Sequence, residues 1–384
     1  MASILVLGAG KEGKGFLGEV FSAAGWKVSL LDKDPLVIEN LRKGSYTVEL
    51  FKVDGTYPAV VSGYEAYLCD PERSCRRAVM DADVLAVCLY PEDIAEAAAY
   101  LAPCFEERAA AGGKKLTILS CTNINHLMGR IEEWFLAPMK SEKSRAWFRE
   151  NVALRDTIVR RSVSAESNSS LRLEALTVAN LLIQPPIHAD LSGVEWMELM
   201  DDLEKMKDIK LYSLNAPHAT CAYAGYLRGY RTICESEGDP EVAALMDEVL
   251  SEAVKGLSAE FGVPEGKIWD FSKMPAPKDA LPDLITRVGY DPLRKLARGD
   301  RLTGNALFCY NHGLPCGALV RSIANGLAYA EATDPAALKM QEIIRTKGLE
   351  AAITDICGLE SGHPLIAEIS AAYRALPAEK RQAC

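Results

Sequence analysis

The sequence predicts an α/β protein in two parts, a doubly wound parallel sheet followed by an all-helical C-terminal half. Three observations predict it. Short apolar runs alternate with helical stretches as far as about residue 190. A glycine-rich turn closes the first of those runs. Beyond "PPIHADLSG" (185–193) the chain reads almost wholly at helical periodicity. At 384 residues the chain is long for one core, so two domains are expected, 1–190 and 191–384.

The elements follow in order. "SILVLGAG" (3–10) is a short strand ending in glycines, and "FLGEVFSAAG" continues as helix. "WKVSLLDKD" (26–34) is a second buried strand closed by acids. Residues 46–67, around Asp54–Gly55, predict a β-hairpin inserted between crossovers. "DVLAVCLYP" (83–91) and "KLTILSCTN" (115–123) are two more buried strands, separated by an alanine-rich stretch. "DTIVRRSVS" and "RLEALTVANLLIQPP" read as further strands. Residues 194–262, 283–297 and 303–380 read as helices, interrupted by "DFSKMPAPKDALP" (270–282).

Composition narrows the function. With 43 basic and 53 acidic residues the formal charge is −10, which disfavours a general nucleic-acid binder. Eleven cysteines without a CxxC pair, and five dispersed histidines, supply no zinc-ligand set, so no metal is expected. The thiols are expected to be reduced, as in a cytoplasm. No apolar run reaches the roughly 18–20 residues of a membrane span, and no targeting segment is expected.

"GAGKEGKG" supplies Gly8, Gly10 and Gly13 as G-x-G-x-x-G, with Lys11 in the same turn. A strand precedes it and a helix follows, the context in which such a turn cradles a pyrophosphate at a helix N-terminus. Asp32 ends the second strand, at a spacing suited to a carboxylate that receives a ribose diol and repels a 2′-phosphate. The reading is a Rossmann-type domain that binds NAD.

A nicotinamide enzyme without a metal needs an acid/base side chain. "KLYSLNAPH" (210–218) offers Lys210, Asn215 and His218. At about 100° per residue these fall near 0°, 140° and 80° on a helix, so all three could line one side of a cleft. "NAPH" also reads as a helix start, with Asn215 as N-cap and Pro217 in the first turn. On their own such residues are more often structural. His126, His312, Cys121 and Cys221 are read as ordinary polar or packing residues.

The K-x4-N-x2-H spacing resembles the signature of the polyol-specific long-chain dehydrogenases, and 210–233 resembles their central helix. "GAGKEGKGFLG" (8–18) is similar to that family's N-terminal fingerprint. "RVGYDPLRKLARGDRLTGNAL" (287–307) and "YNHGLPCGALVRSIANGLAY" (310–329) resemble its mannitol-phosphate branch. The resemblance implies Lys210 as general base, Asn215 and Asn123 as hydrogen-bond donors to the reacting oxygen, and His218 as substrate guide. The sequence departs from the pattern in having Cys121-Thr122-Asn123 for Cys-Glu-Asn and "LNAPH" for "LNTGH". Asp156 is kept, but the arginine and proline usual near it are not.

Arg287, Arg294, Lys295, Arg298 and Arg301 are candidates for a substrate phosphate, because arginine forks match phosphate oxygens. They could equally pair with Asp291 and Asp300, and at most two or three can face one site. The expected activity is NAD-dependent, metal-independent interconversion of a sugar alcohol phosphate and a ketose phosphate, with mannitol 1-phosphate and fructose 6-phosphate as the implied pair. The alternatives are a relative acting on an unphosphorylated polyol or hexuronate, and a silent NAD-binding sensor. Expected partners are a small sugar substrate and, at most, a few copies of the same chain, with neither nucleic acid nor membrane.

Overall fold

The computed structural model describes residues 1–52, 55–122, 124–177, 180–272 and 283–381. Asn123, the tip of the expected hairpin at 53–54 and most of the 270–282 interruption lie outside the described residues. The chain divides into two compact units, Met1–Glu204 and Lys205–Cys384.

In the first unit, β1 (Ser3–Leu7) and β2 (Lys27–Asp32) flank a π-helical turn, Gly13–Gly18, that runs on into α1 (Glu19–Ala23). After α2 (Pro35–Leu41) come β3 (Ser45–Lys52) and β4 (Gly55–Ser62), an antiparallel pair, and then β5 (Glu65–Leu68). There follow α3 (Arg76–Asp81), β6 (Val84–Val87), α4 (Pro91–Ala110) and β7 (Leu116–Ser120). Two helices, α5 (Met128–Leu136) and α6 (Glu142–Asn151), lead to β8 (Val152–Val159). β9 (Val163–Ser164), β10 (Arg172–Leu176), β11 (Leu181–Ile183) and β12 (Met197–Leu199) complete the unit.

The larger sheet has the order β12-β11-β8-β7-β6-β1-β2-β5. Its six parallel strands, counted along the chain, run 3-2-1-4-5-6, the doubly wound order whose reversal falls between β1 and β6. All residues of β1, β6 and β7 are buried, as strands covered on both faces must be. The strand pair β3–β4 joins β10 and β9 in a second, four-stranded sheet. That sheet lies against the π turn: a Cβ on Gly15 would stand 2.4 Å from Val163, and one on Gly18 would stand 2.3 Å from the Tyr46 hydroxyl. Glycine at both positions is what lets the sheet approach.

The unit ends later than the expected boundary at 190. β12 pairs with β11 in the main sheet, so the chain after "PPIHADLSG" returns to it before turning helical.

The second unit is helical. It opens with α7 (Leu203–Ser213), whose first residues belong to the preceding unit, and α8 (Asn215–Arg228). Then come α9 (Ile233–Glu237), α10 (Pro240–Phe261), α11 (Glu265–Ser272), α12 (Ile285–Gly289) and α13 (Pro292–Lys295). α14 (Thr303–Asn311), α15 (Gly317–Leu327), α16 (Pro335–Lys347), α17 (Leu349–Cys357) and α18 (Pro364–Ala375) close the chain. α8 is the central helix, buried on almost every side from Ala219 to Gly225. Small residues let its neighbours in: a Cβ on Gly326 of α15 would come 3.1 Å from the Tyr223 ring. Among the described residues no helix is long and apolar enough to cross a membrane, and the ten cysteines are all free thiols.

A buried cation ties α3 and β7 of the first unit to α4. Arg108 of α4 is fully buried, and burial pulls its guanidinium down to about 10. It donates to the carbonyls of Val79 (2.6 Å), Ala82 (2.9 Å) and Lys114 (2.8 Å), tying α3 and the entry to β7 onto α4. Arg108→Met keeps the length but leaves those carbonyls buried and unpaired. It is expected to lower unfolding free energy by about 3 kcal/mol or more, read as a shift in urea midpoint at unchanged slope.

Candidate functional site

β1 delivers the chain to the glycine turn. The Gly8 N–H donates to Leu31 O (2.9 Å), and its φ of +91° is one that side chains rarely adopt. A Cβ there would lie 2.4 Å from Cys88 O. A Cβ on Gly13 would lie 2.0 Å from Gly8 O, so the helix begins directly against the turn. Lys11 sits half-buried in the first helical residues, and Gly10 lies beneath Asn168, whose Oδ1 would be 3.4 Å from an added Cβ. Asp32 joins the group: its Oδ2 accepts from the Ala9 N–H (2.8 Å) and its Oδ1 from the Asp34 N–H (2.9 Å). Each oxygen keeps a second lone pair for a further donor.

Lys14 is a residue that sequence reasoning missed. It is fully buried, and its Nζ donates to Asn168 O (2.6 Å) and Ser170 O (2.9 Å). Its own carbonyl receives the Tyr46 hydroxyl (3.1 Å). The 167–170 loop is thereby held over the turn. The only signal was a second lysine inside "GKEGKG"; its partners lie about 150 residues away.

In the second unit Lys210 occupies the last turn of α7, Asn215 the first residue of α8, and His218 the first turn after it. Only Leu214 separates the helices, still near helical angles (φ −89°, ψ −41°), and its N–H reaches Lys210 O (3.1 Å). Asn215 is therefore not the N-cap. Leu214 holds that position, and no side chain caps the helix. Pro217 accounts for the break, since it has no N–H for the Ser213 carbonyl four residues back. Lys210, Asn215 and His218 are all half-buried on this helix pair. Buried Asn305 fastens the α7 end, donating to Tyr212 O (3.0 Å) and Arg301 O (2.7 Å).

The His218 Nε2 stands 3.6 Å from Asp283 Oδ2. Partial burial holds its imidazole below the ordinary range. Asp283 opposes that shift, while Arg287, Arg301 and Lys295 reinforce it. Three of the five basic candidates thus bear on His218. Lys295 is buried, donates to Tyr290 O, and is pulled down to about 8 by burial first and by Arg301 and Arg294 next. Arg301 lies against Asp300 (2.7 Å) and Arg287 against Asp283. The other two do not act on His218: Arg294 bridges Asp291 (3.3 Å) and Asp300 (3.2 Å), sharing the latter with Arg301, and Arg298 donates to Gly358 O (3.0 Å). Asp334 sets the geometry, accepting from the Asp291 N–H (2.8 Å) at the left-handed turn before α13. His126 and His312 pair with Glu204 (2.6 Å) and Glu260 (2.9 Å).

A glycine turn at the reversal of a doubly wound parallel sheet defines a dinucleotide-binding class of protein. Family models agree: residues 2–181 match the mannitol dehydrogenase Rossmann domain and residues 202–377 the mannitol dehydrogenase C-terminal domain. The chain belongs to the mannitol dehydrogenase family of oxidoreductases. It is 28% identical over 386 residues to a mannitol-1-phosphate 5-dehydrogenase of Thermoanaerobacter pseudethanolicus, covering 98% of each chain. It is 26% identical to one of Caldanaerobacter subterraneus subsp. tengcongensis, covering 97% of this chain and 98% of the other. Among solved structures it resembles a substrate-free D-sorbitol dehydrogenase (TM-score 0.80, 16% identity, 99% and 94% coverage). It also resembles Pseudomonas fluorescens mannitol 2-dehydrogenase in complex with NAD and D-mannitol (TM-score 0.69, 15% identity, 99% and 92% coverage).

Lys14 gives a pH test. Unfolded, it holds its proton to about 10.5; folded, only to about 8. Between those values the unfolded state binds more protons, so the contribution of Lys14 to stability rises with pH across that window. The stability difference between wild type and Lys14→Met, measured by urea unfolding from pH 7 to 10, should move in favour of wild type above pH 8. A flat difference would mean that the buried amine titrates normally.

Proposed function

We propose that the protein is an NAD-dependent, metal-independent dehydrogenase interconverting mannitol 1-phosphate and fructose 6-phosphate. The observation that carries the phosphate is the convergence of Arg287, Lys295 and Arg301 on His218, within the helical unit that also bears Lys210 and Asn215. The curated relatives named for mannitol 1-phosphate, similar over nearly the whole chain, support the same reading.

The glycine turn fits a dinucleotide. Gly8 and Gly13 leave no Cβ between turn and helix start, and Asp32 retains acceptor capacity beside Ala9 for a ribose diol. Bound NAD supplies the hydride acceptor. Lys210 takes the proton from the alcohol as its carbon is oxidised and returns it in the reverse direction. Asn215 donates to the same oxygen as negative charge grows on it, with Asn123 assigned the same duty. His218, held neutral near pH 7 by partial burial and its cationic neighbours, positions a substrate hydroxyl. Lys295 and Arg301 receive the phosphate, the first as a point charge and the second as a planar fork. The free thiols and the small, anionic substrate suit a cytoplasmic enzyme.

Lys210→Ala is expected to cut turnover by at least about 10²-fold while NADH still binds, because a positioned acid/base contributes roughly 10²–10⁴. Near-normal rates in that variant would remove Lys210 from the chemistry. NADH oxidation should be fast with fructose 6-phosphate and slow with fructose, tagaturonate or fructuronate. Arg301→Gln should raise KM for fructose 6-phosphate more than it lowers kcat. If fructose or a hexuronate is the better substrate, the phosphate assignment is wrong. NADH binding without turnover of any of these would favour a sensor.

A further inference from the structure

A second constellation of reactive groups lies at the glycine turn and has no part in the proposed chemistry. Val87 and Ser120 are the last registered pair of β6 and β7, and the Cys121 N–H continues the ladder to Val87 O (3.0 Å). Cys88 and Cys121 are therefore the next cross-strand pair, with side chains on the same face of the sheet. Glu12 reaches the same place from the start of the helix after the turn. One oxygen of Glu12 and the two sulfurs all lie within 4.8 Å of one another.

We propose that Glu12, Cys88 and Cys121 form a binding site for a soft divalent transition metal such as Zn²⁺. The chemistry of the donors selects the ion. Two thiolates and one carboxylate favour Zn²⁺ or Co²⁺ over the hard cations Mg²⁺ and Ca²⁺, which take oxygen ligands. With Zn–S near 2.3 Å and Zn–O near 2.0–2.2 Å, tetrahedral ligands stand roughly 3.5 Å apart, so small rotamer adjustments close the set. Three protein ligands leave a fourth position for water. Cys121 is buried, whereas Glu12 and Cys88 are half-buried, which gives an ion a path in. Thiols kept only for packing do not require a carboxylate at the same point. A bound metal would cross-link β6, β7 and the helix start behind Gly8, whose Cβ position is already against Cys88 O.

The test uses Co²⁺ as an optical probe on the whole protein, reduced with a non-thiol phosphine in chelator-free buffer. One equivalent should produce a thiolate-to-cobalt charge-transfer band in the near ultraviolet, displaced by Zn²⁺, and Zn²⁺ should raise the melting temperature. Cys88→Ala, Cys121→Ala and Glu12→Gln should each weaken binding by at least the roughly 10–100-fold that even outer-sphere changes cost. Cys234→Ser, which removes an exposed thiol elsewhere, should leave the band intact. No band in wild type overturns the site, as does a band that survives Cys88→Ala or is lost with Cys234→Ser. Each variant's melting temperature without metal is recorded first, and Cys88→Ala and Cys121→Ala serve as alternates should one fail to fold. The cobalt band reads the ligands alone, so its outcome is independent of whether the turn binds NAD.

Discussion

The first unit depends on one constraint: at the glycine turn, backbone must meet backbone. Gly13 carries no Cβ because Gly8 O occupies that place, and Gly8 carries none because Cys88 O does. These approaches draw the end of β1, the end of β6 and the helix start together at the reversal point of the sheet. The same economy extends one turn further, where Gly15 and Gly18 admit Val163 and Tyr46 of the second sheet. A glycine fingerprint is usually explained by its ligand. Here two of its five glycines, Gly15 and Gly18, are explained by a second sheet bearing on the helix, and two more, Gly8 and Gly13, by the close approach of backbone to backbone.

That arrangement also places a charge where no solvent reaches it. Lys14 is buried by the second sheet and the 167–170 loop, and its two carbonyl partners offset only part of the cost of desolvation. Arg108 solves the same problem with more carbonyls. Both residues hold loops to helices, so the sheet in each case has a polar anchor on top of an apolar core. In the helical unit the corresponding anchors are carboxylates: Asp334 before α16 accepts from the Ala336 N–H (2.9 Å), and Glu252 of α10 from the Ala318 and Leu319 N–H groups at the start of α15 (3.0 and 2.9 Å).

What was legible in the sequence was local. Apolar runs of five residues, a glycine turn after the first, an acid ending the second and a helical second half are all short-range patterns, and each reappears as an element. What was not legible required partners distant in sequence. The pairing of β3 with β10 is a contact across more than a hundred residues that no period reveals. The sorting of the five basic residues is set by Asp283, Asp300 and the Gly358 carbonyl, not by their own spacing. "NAPH" was legible as a helix start, since α8 begins at Asn215 with Pro217 in its first turn, but not as a cap. Asparagine and proline at those offsets do signal a helix start, but the α7 helix already supplied the preceding turn, so proline broke a helix and asparagine capped nothing.

The electrostatics around His218 bear on the proposed substrate in a way that distances alone do not. Lys295 at about 8 and His218 below its ordinary range are both bases whose protonated forms the protein disfavours, by burial and by neighbouring cations. Asp283 and Asp300 compensate only in part. An anion set among these groups would reverse the balance, raising both pKa values and so coupling its binding to proton uptake. With Lys295 near 8 in the free protein, that coupling makes an anionic ligand bind less well as pH climbs above 8, whereas a neutral polyol gains nothing from the arrangement. The arginines stay charged across this range, so they supply affinity but no pH dependence. A helical unit that gathers Arg287, Lys295 and Arg301 about one histidine, in a chain of net charge −10, thus carries an internal strain that a phosphate on the substrate would relieve.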